Sequence, residues 1–162
     1  MREFGRVRTV LTDLLGVPDV CGILDGGSLV FIDRNEVENT ESLKIYDGAR
    51  SRVVPLRAKG RPVSLQSTRA TAFDRRRRRL FLVEELEVSN VRVKCVRLDD
   101  GEVTPLLEYA DIRALCVAPE SLFLMDRNQI LVVSMDDVDR ALARADGDDQ
   151  EEDQEDDDQE EE

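Results

Sequence analysis

The sequence predicts an all-β fold: four-stranded antiparallel sheets repeated along the chain, one short C-terminal helix and a disordered acidic tail. Three observations carry that prediction. The body of the chain is a series of short apolar runs, rich in β-branched residues and punctuated by Gly, Pro, Asp and Asn, the pattern of strands joined by tight turns. One ten-residue pattern occurs twice, nearly a hundred residues apart. Charge is segregated: the 162 residues hold 36 acids and 23 bases, a net charge of −13, yet 13 of the acids and none of the bases lie in residues 146–162. The preceding body therefore carries 23 of each and is neutral.

Taken in order, the strand candidates are residues 6–12, 20–24, 29–33, 43–46, 52–56, 70–73, 80–83, 91–98, 103–107, 114–117, 122–125 and 130–133. Between 24 and 29 stands Asp25-Gly26-Gly27, a hairpin turn in which glycine supplies the positive φ such turns require. It is not a phosphate-binding loop, because no helix follows it. Only residues 136–145 read as helix. Ser134 is placed to cap it, Asp136 and Asp137 suit the positive first turn, and Ala141, Leu142 and Ala143 favour helical backbone. Residues 146–162 contain only Asp, Glu, Gln and one Gly, so they lack apolar area to offset ordering entropy and are expected to be disordered.

The repeat sets the architecture. Ser28-Leu-Val-Phe-Ile-Asp-Arg-Asn-Glu-Val37 and Ser121-Leu-Phe-Leu-Met-Asp-Arg-Asn-Gln-Ile130 share Ser, Leu, Asp, Arg and Asn. Between them Arg79-Leu-Phe-Leu-Val-Glu-Glu85 repeats the apolar run followed by an acid. Leu29, Leu80 and Leu122 mark a period near that of a four-stranded propeller blade, roughly 40–50 residues. Gly5-Arg-Val-Arg-Thr-Val-Leu11 and Gly101-Glu-Val-Thr-Pro-Leu-Leu107 form a second matched pair, and Arg52-Val-Val-Pro-Leu56 takes that place in the first unit. Pro55 and Pro105 suit edge strands, which can spare an N–H.

With those residues in view, Asn90-Val-Arg-Val-Lys-Cys-Val-Arg-Leu-Asp-Asp-Gly-Glu-Val-Thr-Pro-Leu-Leu107 resembles the third and fourth strands of an NHL-type blade. Leu29-Val-Phe-Ile-Asp-Arg-Asn35 and Leu122-Phe-Leu-Met-Asp-Arg-Asn128 are similar to that family's second strand. The middle unit departs, with Glu84-Glu85 where Asp-Arg would stand, and no histidine follows the Asn anywhere. The resemblance implies a six-bladed β-propeller architecture of which residues 1–135 encode three units, about 19–57, 69–107 and 113–134. The third unit has three strands before the helix, and residues 5–12 are the candidate fourth, closing strand. Three blades are fewer than the four to eight that usually ring a channel, so a homodimer completing a six-bladed ring is one expected arrangement and an open arc the other.

Function is bounded mainly by exclusions. The chain has no histidine, which removes imidazole general bases, Ser-His and Cys-His nucleophiles and histidine metal sites. No catalytic residue, cofactor site or metal site can be nominated. Oxygen-ligated calcium, as held in the channel of some lactonase-type propeller hydrolases, stays open as an alternative, although Asp33, Asn35, Asp126 and Asn128 read first as turn caps that accept backbone N–H groups. The electrostatic candidates are Arg75, Arg76, Arg77, Arg78 and Arg79, set in a hairpin loop between two strands. Such a run reads first as a solvated turn; its functional alternative is a phosphate-attracting patch or a localisation signal. Interleaved aromatics for base stacking are missing, which makes nucleic acid an unlikely ligand. The tail is either a solubilising segment, a lure for basic partners such as histones or ribosomal proteins, or a cover for the arginines.

Cys21, Cys95 and Cys116 each sit in an apolar run without paired spacing, and Met1-Arg2-Glu3-Phe4 opens no apolar signal segment. Reduced cysteines and no leader together suggest cytoplasm or nucleus. No run reaches the roughly 20 apolar residues of a membrane span. The expected function is a non-catalytic protein-interaction scaffold with an electrostatic tail. The competing expectations are a calcium-dependent propeller hydrolase and an acidic binder of basic proteins.

Overall fold

A computed structural model describes residues 14, 16, 18–87 and 90–148. Three antiparallel sheets follow one another along the chain. The first holds β1 (Pro18–Ile23), β2 (Leu29–Asn35), β3 (Thr40–Tyr46) and β4 (Ser51–Val53), paired in that order. A two-stranded hairpin, β5 (Arg57–Ala58) and β6 (Arg61–Pro62), turns on Lys59 and Gly60, both at positive φ. The second sheet holds β7 (Thr68–Asp74), β8 (Arg79–Glu87), β9 (Asn90–Arg97) and β10 (Val103–Tyr109), each paired with the next. The third has β11 (Ala114–Ala118), β12 (Ser121–Met125) and β13 (Ile130–Ser134), and leads directly into α1 (Met135–Asp148).

Alternation along each strand divides its residues between two faces, and the sheets stack through those faces. Val30 and Ile32 of β2 and Leu43 and Ile45 of β3 form one cluster with Leu80 and Leu82 of β8 and Val96 of β9, none more than 3% exposed. The alternate residues of the second sheet, Phe81, Val83, Val93 and Cys95, turn the other way and join Leu122 and Leu124 of β12 in a second cluster. Each middle strand thus feeds two cores, which is why β8 reads as an unbroken apolar run. Innermost strands approach closely as well: a Cβ on Gly22 of β1 would lie 2.2 Å from the Phe73 ring of β7, so only glycine fits there.

The helix stands where a fourth strand would complete the third sheet. Ser134 Oγ accepts the Asp137 N–H at 3.1 Å, the expected cap, and donates to the Asp137 carboxylate at 2.7 Å. Met135, Val138 and Leu142, spaced three and four apart on one stripe, are buried in the second cluster. The helix extends past Ala145 to Asp148, so residues 146–148, read from sequence as the start of the tail, are helical. Asp146 is held at 2.7 Å by Arg97 from β9, a contact that offsets the cost of an acid in the last turn. The remaining tail, 149–162, and the closing-strand candidate, 5–12, lie outside the described residues.

Smaller corrections follow the same logic. β4 stops at Val53, leaving Pro55 in the link beyond it, whereas Pro105 does sit in an edge strand, β10, at a shift of register. The β5–β6 hairpin has no expected counterpart; two residues per strand give no periodicity to read. Among the described residues no helix is long and apolar enough to cross a membrane.

Candidate functional site

The two ends of the sheets differ. One end carries the turns between first and second strands, including the arginine run; the other carries the turns between second and third strands and the links into each next sheet. At the first end the arginines diverge like spokes. Arg75 reaches back to Asp25 in the equivalent turn of the first sheet, Nη2 to Oδ1 2.6 Å. Arg77 reaches forward to the Pro119 carbonyl in the third sheet's turn at 2.8 Å, while also meeting Asp74 at 3.2 Å. Arg78 pairs with Asp99 at 2.6 Å in the next turn of its own sheet, and Arg79 pairs with Asp139 of α1. Arg76 is exposed and forms no ion pair among the described residues. Three of the five guanidiniums, Arg75, Arg77 and Arg79, therefore tie three sheets and the helix together, and Arg78 braces its own sheet. Their acids lie as far as 60 residues away in sequence, so no local pattern signals them.

At the second end, each seam between sheets is closed by a carboxylate and arginines. The Glu41 carboxylate accepts the Thr68 N–H at 3.1 Å, and Arg34 Nη2 donates to the Thr68 carbonyl at 2.7 Å. The first strand of the second sheet is thereby hooked to the second and third strands of the first. At the next seam Asp111, at φ 56, collects Arg69 at 3.2 Å, Arg113 at 3.1 Å and Arg127 at 2.8 Å. The Arg113 bond and then the Arg127 bond hold the Asp111 carboxyl below the usual carboxylate range. Arg34 and Arg127 occupy the same place in the Asp-Arg-Asn repeat, and each reaches an acid near the start of its own sheet: Asp19 at 3.3 Å and Asp111.

These knots border two polar clefts. One, of about 510 Å³, opens between the first two sheets among Arg34, Asn35, Asn39, Thr68, Arg69 and Glu85. The other, of about 280 Å³, lies among Ala110, Asp111, Asp126, Arg127 and Asn128. Among the described residues no group of three or more His, Cys, Asp or Glu is placed to hold a metal.

The repeated acids divide in role. Asn35 Oδ1 accepts the Val37 and Glu38 N–H groups at 3.0 and 3.2 Å, and Asp126 Oδ1 accepts the Asn128 N–H at 2.7 Å. Both are turn caps, as their position predicts; that N–H lowers the Asp126 pKa, with Gln129 adding to the effect. Asp33 is not a cap. It lies inside β2, its side chain fully buried, with Oδ2 2.5 Å from Lys44 Nζ on β3. Glu84, the apparent departure in the middle unit, does the same work: its Oε1 is 2.5 Å from Lys94 Nζ on β9. Lys44 pairs in register with Phe31, and Lys94 with Leu82, the same place in the repeat. In the third sheet that place belongs to Leu131, opposite Leu124, and Asp126 turns outward to cap instead.

One further surface becomes visible when the repeat is laid on the sheets. Val30, Ile32, Leu43 and Ile45 align with Phe81, Val83, Val93 and Cys95, and both quartets are buried against the next sheet. The third quartet is Phe123, Met125, Ile130 and Val132. Phe123 is partly exposed, and the others are 46%, 65% and 59% exposed. Burial of Cys21 and Cys95 pushes their thiols up to about 11 and about 12. Cys116, in register with Phe123 on this open face, is exposed.

No protein-family description matches the chain, and no curated protein does. A chain in a solved structure titled "Crystal structure of Nidogen/Laminin Complex" superposes on it with a TM-score of 0.57 at 18% identity. The match covers 82% of this chain and 48% of the other, so this chain spans about half the length of that one. The shared fold is that of a β-propeller, which this chain builds from two four-stranded sheets and one three-stranded antiparallel sheet.

Proposed function

We propose that the chain is a non-catalytic protein-interaction scaffold built from NHL-like propeller repeats, whose polar cleft end meets a protein partner and whose acidic segment modulates that contact. The observation that supports it best is the cleft end itself. Arg34 is fixed there by Asp19 of β1, and Arg69, Arg113 and Arg127 by Asp111 in the link between β10 and β11, and rigid frames that present polar loops suit recognition without chemistry. The solved chain that shares the fold is itself titled as part of a protein complex. The acids of residues 149–162 add negative charge that would attract basic surfaces, with range limited to about 8 Å at physiological salt.

The test uses the full chain and a charge-reversed form, R113E/R127E, changed at side chains that are 46% and 67% exposed. Cross-linking mass spectrometry in cell extract, with unfolding curves matched, should show specific cross-links to the cleft end in the native chain and their loss in the variant. Identical cross-linked partners in both forms would refute this reading.

A further inference from the structure

We infer that the open face of the third sheet is a contact through which two copies of this chain pair, face against face, about a two-fold axis. The strand register sorts the side chains of that face into three rows. The middle row is Cys116, Phe123 and Val132. Ala114, Met125 and Ile130 stand on one side of it, and Ala118, Ser121 and Ser134 on the other. None of these side chains is charged, although 36% of the chain's residues are. Met125, Ile130 and Val132 are 46%, 65% and 59% exposed, and Cys116 is exposed beside them. The corresponding faces of the first two sheets are closed by the sheet that follows, with Leu80 and Leu82 against the first and Leu122 and Leu124 against the second.

Charge and shape name the occupant. An ion brought against this face loses its water and finds no counter-charge, so the complementary face must itself be uncharged. The outer face of the first sheet does not qualify, because it is already filled, with Phe31 1% and Asp33 2% exposed. The same face of a second copy does. A two-fold axis along the middle row sets Phe123 against Phe123 and turns the large row, Met125 and Ile130, onto the small row, Ser121 and Ser134, of the second copy. Large meets small twice, the self-complementarity that an isologous contact requires. The patch measures roughly 14 by 16 Å, from strands about 4.8 Å apart and a rise of about 3.3 Å per residue. That is well below the roughly 800 Å² per partner of a standard interface, so the pair is weak and forms with rising concentration. Each copy carries a net charge of −13, and salt strengthens the pair by screening that repulsion. The contact is separate from the cleft end, and its failure leaves the proposed partner surface untouched.

Sedimentation of the full chain from about 10 μM to about 1 mM spans the dissociation constants expected of so small a contact. The mass should rise from 18.4 kDa toward twice that value, and further at high salt. With packed sheets about 10 Å apart, the two Cys116 thiols face each other across the axis. A short bis-maleimide should therefore join two chains through Cys116, identified by peptide mapping, and should not join C116S chains. I130D/V132D in the exposed rows and S121D in the small row should each hold the chain at 18.4 kDa and abolish the cross-link. Cooperative urea unfolding of each variant shows that the lost mass is lost assembly, and the milder S121D serves alone where the double variant does not fold. A native chain that stays at 18.4 kDa at the highest concentration overturns the inference. So does a dimer that survives the substitutions, or one that salt dissociates. A dimer never joined through Cys116 overturns the two-fold axis.

Discussion

The pairing of Glu84 with Lys94 offers the sharpest test of how the second sheet is held. Both side chains are nearly buried, 12% and 15% exposed, and their charged atoms are 2.5 Å apart on adjacent strands. Replacing Lys94 by Leu leaves a carboxylate in the sheet whose remaining cation is Arg92, at 3.9 Å, at a cost of about 3 kcal/mol, the low end for breaking a buried pair. Replacing Glu84 by Leu costs less, about 2 kcal/mol, because a lysine stem can carry its head toward water. Replacing both removes the desolvation penalty along with the attraction, so the double variant should lie within about 1 kcal/mol of the native chain. The coupling is then about 4 kcal/mol, far above the ~0.5 kcal/mol scatter of independent sites. Urea unfolding of the four chains, with two-state behaviour checked by two probes, measures it. In melting temperature Lys94→Leu should lower the midpoint by about 6–12 °C, at 2–4 °C per kcal/mol for a chain of this size. A double variant that costs the sum of the two singles would refute the argument that the pair is a matched exchange of desolvation for attraction.

Other outcomes follow from single positions. Gly101→Ala should cost about 2–4 kcal/mol, since φ there is 77° and a Cβ would fall 1.9 Å from the Pro55 carbonyl oxygen; urea unfolding reads it, and a loss under ~1 kcal/mol would mean the turn can move. Ser134→Ala should cost about 1 kcal/mol by removing the cap on Asp137 N–H, seen as lost helicity and lower stability, whereas Ser134→Asp should restore most of it. Acid sensitivity should come from Asp47, Asp111, Asp126 and Asp137, whose pKa values are all held below 3.8 by N–H groups, a hydroxyl or arginines. A depressed folded pKa contributes stability that is present above the unfolded value and lost as pH falls through the folded one, so the chain should lose stability below about pH 4. Asp111→Asn should flatten that loss, and an unchanged acid limb would contradict the role given to its three arginines.

The strands and their grouping were legible because the apolar runs carry the alternation and the repeat carries the period. What escaped the sequence escaped for identifiable reasons. Asp33 and Asp126 hold the same place in the repeat, yet one is an ion pair inside a sheet and the other a turn cap. The difference is made by the residue across the sheet, Lys44 in one case and Leu131 in the other, and cross-strand neighbours are not adjacent in sequence. Glu84 looked like a departure for the same reason: its lysine is ten residues away. The helix was legible at its start, where Ser134 and Asp137 are local signals, and not at its end, where Arg97 holds Asp146 from another element.

The arginine run shows the limit most clearly. Five adjacent guanidiniums with a neutral body around them read as a solvated turn, or as a phosphate-attracting patch, when only neighbours along the chain are counted. The hairpin places that turn in the middle sheet, within reach of the equivalent turns on both sides, and the acids that arrive there are Asp25, Asp99 and Asp139. An exposed pair such as Arg75 with Asp25 contributes little by itself, but pairs that all radiate from one turn constrain the relative placement of three sheets and a helix together. The positive charge that would draw nucleic acid is thereby largely matched by acids, although Arg75 and Arg76 both stay exposed, and Arg76 is the member of the run without an ion pair among the described residues. Any anion affinity of this end should then be weak and uniform across polyanions, and it should rise when Asp25 and Asp99 are changed to Asn, because those substitutions release Arg75 and Arg78. Heparin-column retention compares the two forms directly, and equal retention would show that the ion pairs do not govern the charge this turn presents.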